Sequence, residues 1–359
     1  MNNKLKSFLC SIAYSPVGDK LVSWSGAKRI WTELHVRSQL KHLKAEGIRI
    51  YAKGNAPGSL EDFEKAVERH WVSYSEYANQ YGFYDKTEPE REEFVARLKM
   101  AYFYWRYAPG SAKAIFRNKP VFLKTFDPYV HRVWCFAPEA SFEDFARLVS
   151  SHDCIIKPAD GKLGRGVRKC SCMKDPEQIR ALYESCVKDR ALVEQCIESC
   201  EALKAFHPQS LNTVRVVTVA NRKDSAVFGS FLRTGVGDSV VDNAHAGGLF
   251  AQINVKDGII ESEGIDVNGR RLECHPDSGV KFKGFKIPEW DTIVRTCCEA
   301  AKMTDNPITG WDVAVNKDGK VEFVEGNYGP DFDVMQSPLQ VGVKAKIYAW
   351  IKEYRGIAL

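Results

Sequence analysis

Two acidic residues near the end of the chain are spaced so that they can act together. The segment from Gly310 to Asn327 carries Asp318-Gly319 between two apolar runs, which is a strong signal for a β-hairpin. With a two-residue turn there, the expected strand pairs are Lys317–Lys320, Val315–Glu322, Val313–Val324 and Asp312–Glu325. Side chains alternate along a strand, so the same register predicts one shared face for Phe323, Glu325 and Asn327.

The opposed carboxylates of Asp312 and Glu325 indicate a cation site. Their Cβ atoms are expected ~5 Å apart, and like charges that face each other destabilise a sheet. A hard divalent cation offsets this repulsion, and two carboxylates with the Asn327 amide oxygen are hard ligands. A site with only these protein ligands suits a Mg²⁺ ion that also binds the phosphates of a nucleotide. Two other interpretations stay open: the acids diverge into solvent, or a different loop length shifts the register.

A lysine followed by a glycine-rich loop forms a second candidate site. Lys157 ends the apolar strand that begins at Cys154, where burying a charge is costly unless it is paired, and a phosphate could pair it. The loop that follows contains Gly161, Lys162, Gly164, Arg165 and Gly166. Glycines let backbone N–H groups approach phosphate oxygens, but the ending of a Walker A loop is missing. An ordinary exposed basic loop is the competing interpretation.

Three further polar residues are candidates for binding or catalysis. Glu194 lies in the strand from Leu192 to Ile197, where it either meets an adenine edge or is solvated on an edge strand. Arg215 stands among β-branched residues and therefore needs an anionic partner. His245, in the polar loop before Gly247-Gly248, is a possible general base, although a lone loop histidine is usually only solvated.

Composition excludes several classes of protein. The chain has 359 residues, 44% hydrophobic and 27% charged, which are ordinary globular values that argue against disorder. The net charge of +5 is too small to imply nucleic acid but suits an anionic small substrate. The 11 cysteines include no CxxC pair and no zinc spacing, which favours reduced thiols and a cytoplasmic protein. No apolar run approaches the ~20 residues of a membrane span.

Periodicity divides the chain into a helical part and a mixed part. The first 110 residues predict helices rich in Trp and Tyr, such as the one that carries Phe63, Val67 and Trp71 behind Ser59. After about residue 115, short strands and helices alternate, and the last third is richer in strands. We predict an α+β fold with a mainly helical N-terminal region over 1–114, a small subdomain over 115–200 and a larger one over 201–359.

The order of these segments resembles the ATP-grasp superfamily over residues 115 to 335. The resembling features are a strand ending in Lys157-Pro158, a small glycine-rich loop, a Val193-Glu194 strand about thirty-five residues later, and the hairpin with Asp312 and Glu325. The segment Asn212-Thr213-Val214-Arg215, the pair Gly247-Gly248 and Glu325-Gly326-Asn327 narrow the resemblance to the sugar-transfer-associated branch, which is met in polysaccharide biosynthesis.

This resemblance implies a role for each candidate residue. ATP would lie between two α+β subdomains, with Lys157 at the α- and β-phosphates and residues 161–166 covering the phosphates. Lys119 would be the earlier nucleotide lysine, with Lys124 as the competing choice. The adenine would be held by Glu194, Gln195 and Ile197, and the ribose by either Glu198 or Glu201. Mg²⁺, usually as two ions, would be bound by Asp312, Glu325 and Asn327.

The chain also departs from the family pattern. Related D-alanine-type ligases carry an arginine two residues before the metal aspartate, where this chain has Gly310. The cation that stabilises the acyl phosphate must therefore come from elsewhere, with Arg215 and Arg233 as candidates. The N-terminal helical region does not resemble the usual α/β domain that precedes an ATP-grasp fold.

Three functions are compatible with these residues. The leading hypothesis is a Mg²⁺-dependent ligase that joins a small-molecule carboxylate to an amine through an acyl phosphate, in cell-surface polysaccharide or peptide-like metabolite synthesis. The second is a phosphotransferase that hands the γ-phosphate to a hydroxyl group. The third is a nucleotide-binding protein without catalysis. The sequence does not determine the substrates or the oligomeric state.

Overall fold

The computed structural model describes residues 25–160, 166–221, 223–237 and 247–356. These residues form two compact units. The first contains the described residues up to Gly110, together with Asp331–Gln336 and Val341–Ala345. The second contains Ser111–Pro330, Ser337–Gln340 and the described residues from Lys346 onward. The boundaries predicted at residues 114 and 200 stay predictions.

The first unit is helical, as the sequence predicts. Its main helices are α1 (Ser25–Tyr51), α2 (Leu60–His70), α3 (Glu88–Glu92) and α4 (Arg97–Tyr107), with a π-helical turn at Ser75–Gln80. Ser59 caps α2, because its hydroxyl accepts a hydrogen bond from the Asp62 N–H at 3.1 Å. Phe63 and Val67 of α2 are fully buried in a core that is dominated by aromatic rings. Tyr77 and Tyr81 are buried in the same core, so these tyrosines serve packing.

Two short helices and a small sheet begin the second unit. Its elements to this point are α5 (Gly110–Arg117), α6 (Lys119–Thr125), β1 (Trp134–Phe136), α7 (Phe142–Ser151), β2 (Cys154–Pro158), β3 (Arg168–Cys170), α8 (Pro176–Lys188) and β4 (Ala191–Gln195). The four strands pair in the antiparallel order β1-β4-β2-β3. Helices α7 and α8 bury Phe145, Leu148 and Ile179 in the core of this sheet.

A larger sheet completes the second unit. The remaining elements of the chain are α9 (Glu201–Lys204), β5 (Thr213–Ala220), β6 (Ser225–Thr234), β7 (Leu249–Ile253), β8 (Gly264–Ile265), β9 (Arg271–Leu272), α10 (Trp290–Lys302), β10 (Ile308–Val315), β11 (Val321–Asn327), α11 (Asp333–Gln336) and α12 (Lys344–Arg355). Of these, α11 belongs to the first unit. Its seven strands are antiparallel in the order β11-β10-β5-β6-β7-β8-β9. Helix α10 packs on this sheet through Trp290, Ile293 and Cys297.

An aromatic cluster fixes α6 against the hairpin of the larger sheet. Phe126 lies edge-on to Trp311, with ring centroids 5.1 Å apart, and Phe323 stacks on Trp311 at 5.0 Å. Asn118 caps α6 by accepting a hydrogen bond from the Val121 N–H at 3.1 Å. The first residue of α6, Lys119, is thereby held beside the hairpin.

The architecture confirms the predicted fold class, an α+β fold preceded by a mainly helical region. No helix among the described residues is long and apolar enough to cross a bilayer.

Candidate functional site

The hairpin of β10 and β11 places Asp312 directly opposite Glu325, as predicted. The pairs nearer the turn differ from the prediction, because Val315 faces Val321 and Val313 faces Phe323. The loop has three residues rather than two: the Asn316 N–H donates to the Lys320 carbonyl at 2.9 Å, and Gly319 adopts φ +74°. An irregularity between Asp312 and Val313 then absorbs the one-residue shift and restores the expected pair.

This bulge also changes which side chains share a face. Phe323 packs on the aromatic core, and a Cβ added to Gly326 would lie 2.5 Å from the Phe122 ring. Phe323 and Gly326 therefore face the core, three residues apart. The prediction that Phe323 shares a face with Glu325 and Asn327 is wrong, because the extra residue in the strand reverses the alternation.

Asp312 is neutralised by two arginines, one on the adjacent strand β5 and one on β6, the strand beyond it. Arg215, its partner on β5, binds both carboxylate oxygens, with Nη2 2.7 Å from Oδ2, and Arg233 Nη1 lies 3.0 Å from Oδ1. Burial tends to raise the pKa of Asp312, but the two guanidinium groups outweigh it and hold that pKa below its usual value. Asp312 is thus the anionic partner that Arg215 needs. The repulsion between the opposed acids is therefore offset by these two arginines, without a metal ion being required for it.

Glu325 has the opposite electrostatic environment. Burial is the main cause that raises the pKa of Glu325, and the charge of Asp312 raises it further. The nearby lysines Lys157 and Lys119 lower this pKa, but by less. Within the part of the chain that the structure describes, its carboxylate makes no hydrogen bond or ion pair, and neither does the Asn327 side chain. Glu325 and Asn327 consequently offer free hard oxygen donors. This donor set fits a magnesium ion, with Asp312 as a ligand shared with its arginines.

The two candidate nucleotide lysines lie beside Glu325. Lys157 and Lys119 line a small cavity together with Glu194 and Glu325. The Lys119 ammonium donates to the Pro158 carbonyl at 3.2 Å. Burial lowers the pKa of Lys119, because the opposing effect of the Glu325 charge is smaller. The competing Lys124 does not line this cavity; it pairs on the surface with Glu139 at 2.7 Å. This geometry favours Lys119 over Lys124.

Glu194 belongs to a buried ionic network that the sequence did not reveal. Arg132 Nε donates to Glu194 Oε1 at 2.8 Å, and its Nη1 donates to Glu322 Oε1 at 2.9 Å. Glu194 also pairs with the Lys157 ammonium. Because β4 lies between β1 and β2, the interpretation of Glu194 as a solvated edge residue is wrong. No motif marks Arg132, which stands in an irregular segment before β1 and finds its partners only in the fold.

The structure describes the surroundings of only some of the other predicted ligand-binding residues. The Gln195 side chain accepts a hydrogen bond from the Val133 N–H at 3.2 Å, and Ile197 is half-buried. The two ribose candidates are both exposed: Glu198 pairs with Lys317 at 2.9 Å, and Glu201 begins α9. Gly166 has φ +74°. Gly161, Lys162, Gly164 and His245 lie outside the described residues. The nucleotide contacts of all these residues stay predictions.

Comparisons with known proteins give one family match and several similar structures. The family described as "Sugar-transfer associated ATP-grasp" matches residues 102–349. No curated protein sequence matches the chain. Among solved structures, the ATP-grasp ligase PsnB complexed with minimal precursor is similar at 16% identity and a TM-score of 0.42, over 72% of this chain and 67% of PsnB.

This chain spans only part of each of two other similar structures. Biotin carboxylase from Campylobacter jejuni, in a β-γ-ATP complex, is 14% identical with a TM-score of 0.44, over 70% of this chain and 48% of that one. N5-carboxyaminoimidazole synthetase from Staphylococcus aureus, complexed with ADP, is 7% identical with a TM-score of 0.41, over 70% of this chain and 58% of that one. The family match covers well over half of the chain, which therefore belongs to the sugar-transfer-associated ATP-grasp family.

Proposed function

We propose that the protein is an ATP- and Mg²⁺-dependent ligase that joins a small carboxylic acid to an amine through an acyl phosphate. The observation that carries the proposal is the pair of unpartnered oxygen donors, Glu325 and Asn327, beside two lysines and two arginines on an ATP-grasp fold. Among the described residues of this centre the cations outnumber the carboxylates. Such a balance suits a triphosphate.

Glu325 and Asn327, with Asp312, would hold the magnesium ion. When bound, Mg²⁺ neutralises charge on the phosphates as the terminal phosphoryl group is transferred. The structure supports this donor set by its chemistry, since all three side chains offer hard oxygen atoms.

The cationic residues would position the phosphates. Lys157 and Lys119 point into one cavity and would neutralise the α- and β-phosphates. Arg215 lies over Gly310, since a Cβ at that glycine would be 3.3 Å from Arg215 Cδ. Arg215 thus fills part of the space that a side chain at position 310 would enter. It would stabilise the developing charge on the transferred phosphoryl group.

The proposed reaction has two steps. A carboxylate oxygen of the acid attacks the γ-phosphorus, and the bond to the ADP oxygen breaks, which gives an acyl phosphate and ADP. The amine then attacks the acyl carbon, inorganic phosphate leaves with the bonding pair, and a proton is lost from nitrogen. The cationic centre formed by Lys119, Lys157 and Arg215 stabilises charge in the first step, and exclusion of water protects the acyl phosphate.

A screen of ADP release tests this proposal. Amino acids and sugar acids are paired with amines in the presence of ATP and Mg²⁺, and products are identified by mass spectrometry. We expect ADP and phosphate to form only when both an acid and an amine are present, together with an amide. Lys119→Met should abolish this turnover, whereas Lys124→Met on the surface should not. A stable phosphorylated hydroxyl product would instead identify a phosphotransferase.

A further inference from the structure

The outer face of α1 exposes aliphatic side chains to solvent. Ile30 is 62% exposed, Leu34 is 60% exposed and Ile48 is 48% exposed. The first two are the most exposed large apolar side chains that the structure describes. Burial of apolar surface is the main driving force of folding and association, so such a concentration on one helix indicates a contact surface.

These residues form one stripe along the helix. Ile30, Leu34, Arg37, Lys41, Ala45 and Ile48 follow one another at intervals of three or four residues, and all six are exposed. We call these six residues the outer stripe. The other side of α1 packs on α2 and α4. At a rise of 1.5 Å per residue, the outer stripe is roughly 27 Å long.

The charge of the outer stripe is positive and uncompensated. Arg37 and Lys41 make no ion pair with any residue in the described ranges, and the stripe contains no acidic residue. Two other cations of α1 do have acidic partners, since Arg29 pairs with Glu33 at 3.2 Å and Lys44 pairs with Glu68. The partner of this face must therefore accept aliphatic side chains and carry negative charge.

A second copy of the chain does not meet this requirement. Arg37 and Lys41 lie symmetrically about the middle of the stripe, between Leu34 and Ala45. Two antiparallel copies that shared their apolar ends would bring these four cations together at the centre of the interface, which is unfavourable. The ridge of a helix is also convex and offers no groove to a peptide.

We propose that the outer stripe binds the surface of an anionic lipid bilayer. A helix face that carries both kinds of residue can lie in the plane of the interface, with aliphatic side chains between the headgroups and Lys and Arg at the anionic phosphates. The surface lies entirely within α1, so the inference is independent of the proposed enzymatic reaction.

Sedimentation with lipid vesicles tests the proposal on the whole 359-residue chain. Vesicles of phosphatidylcholine alone are compared with vesicles of phosphatidylcholine mixed with phosphatidylglycerol. We expect the protein to sediment only with the anionic vesicles and to be released by high salt. The double variant Arg37→Glu/Lys41→Glu should weaken the partition coefficient about tenfold or more. Ile30→Ser/Leu34→Ser should weaken it as well, with an unchanged melting temperature.

A matched variant controls for net charge. Lys188→Glu/Lys256→Glu changes two exposed lysines of the second unit by the same charge and should bind like the wild type. Equal losses in both charge variants, or no binding of the wild type to anionic vesicles, would overturn the proposal. So would a dimer in the absence of lipid that Ile30→Ser/Leu34→Ser dissociates, because the stripe would then be a contact between copies.

Discussion

Asp312 and Glu325 face each other across one strand pair, yet their surroundings divide their roles. The arginines Arg215 and Arg233 keep the pKa of Asp312 low, so its charge is permanent and already shared. Burial and the charge of Asp312 raise the pKa of Glu325, which has no such partners. Asp312 therefore organises the arginines, and Glu325 is the oxygen donor that is free for a ligand.

The variant Glu325→Gln tests whether Glu325 is the free oxygen donor for a ligand. The amide removes a carboxylate that the fold disfavours, so the melting temperature should stay unchanged or rise. Loss of the metal ligand should reduce ADP release by about a hundredfold or more. Glu184→Gln, on the exposed face of α8, is the matched control and should retain full turnover. Wild-type ADP release by Glu325→Gln would refute the metal assignment.

Asp312→Asn should behave differently because it removes a buried counterion. Arg215 and Arg233 would then lie close together without compensation, with side chains only 15% and 14% exposed. We expect the free energy of unfolding to fall by about 3 kcal/mol. Urea denaturation measures this loss. A stability equal to that of Glu325→Gln would show that the arginines find compensation elsewhere.

At the scale of elements, Arg132 ties the two sheets of the second unit together. It binds Glu194 of β4 in the small sheet and Glu322 of β11 in the large one. Glu194 in turn holds Lys157 at the end of β2. The position of Lys157 thus depends on Arg132, through their shared partner Glu194.

Arg132→Gln should therefore cost stability and disturb the lysine. Two buried carboxylates would lose their main cation, which should lower the free energy of unfolding by about 3–5 kcal/mol. The matched control is Lys317→Gln, whose pair with Glu198 is exposed and should matter little. Urea denaturation of both variants, followed by the KM for ATP, measures the effects. Equal stabilities of the two variants would contradict the network.

The hairpin of β10 and β11 shows how far a local sequence pattern specifies a site. The alternation of apolar residues around Asp318-Gly319 predicted the hairpin, and Asp312 does face Glu325. The loop length was wrong by one residue, and the bulge compensated for it. A turn sequence constrains loop length only loosely, whereas the bulge depends on packing Phe323 and Gly326 against α6.

At the scale of the whole molecule, the first unit contains a buried acidic group of its own. Asp333 lies in α11, which belongs to the first unit. Burial, followed by the charges of Asp331 and Glu76, raises the pKa of Asp333 to about 7, although Arg97 opposes this. Between about pH 4 and pH 7, Asp333 thus keeps a proton that the unfolded chain has released.

This unit should accordingly lose stability as the pH rises. The folded state binds more protons in that window, so the free energy of unfolding falls from about pH 4 to pH 7. Asp333→Asn removes the titrating group but keeps the acceptor for the Val334 N–H, which lies 3.0 Å from Oδ1. The variant should be more stable than the wild type at pH 8 and similar at pH 4, as measured by calorimetry. Parallel pH profiles of the two proteins would contradict this assignment.

The sequence alone determined the helical N-terminal region, the α+β class, the family and the facing pair of acids. Each of these depends on periodicity, turn residues or the order of short motifs, which are local properties of the chain. Three features became visible only in the fold: β4 is central, Arg132 joins Glu194 to Glu322, and Asp312 is held by Arg215 and Arg233. Those contacts join residues far apart in sequence, and the energy of a buried charge depends on which partners the fold brings to it.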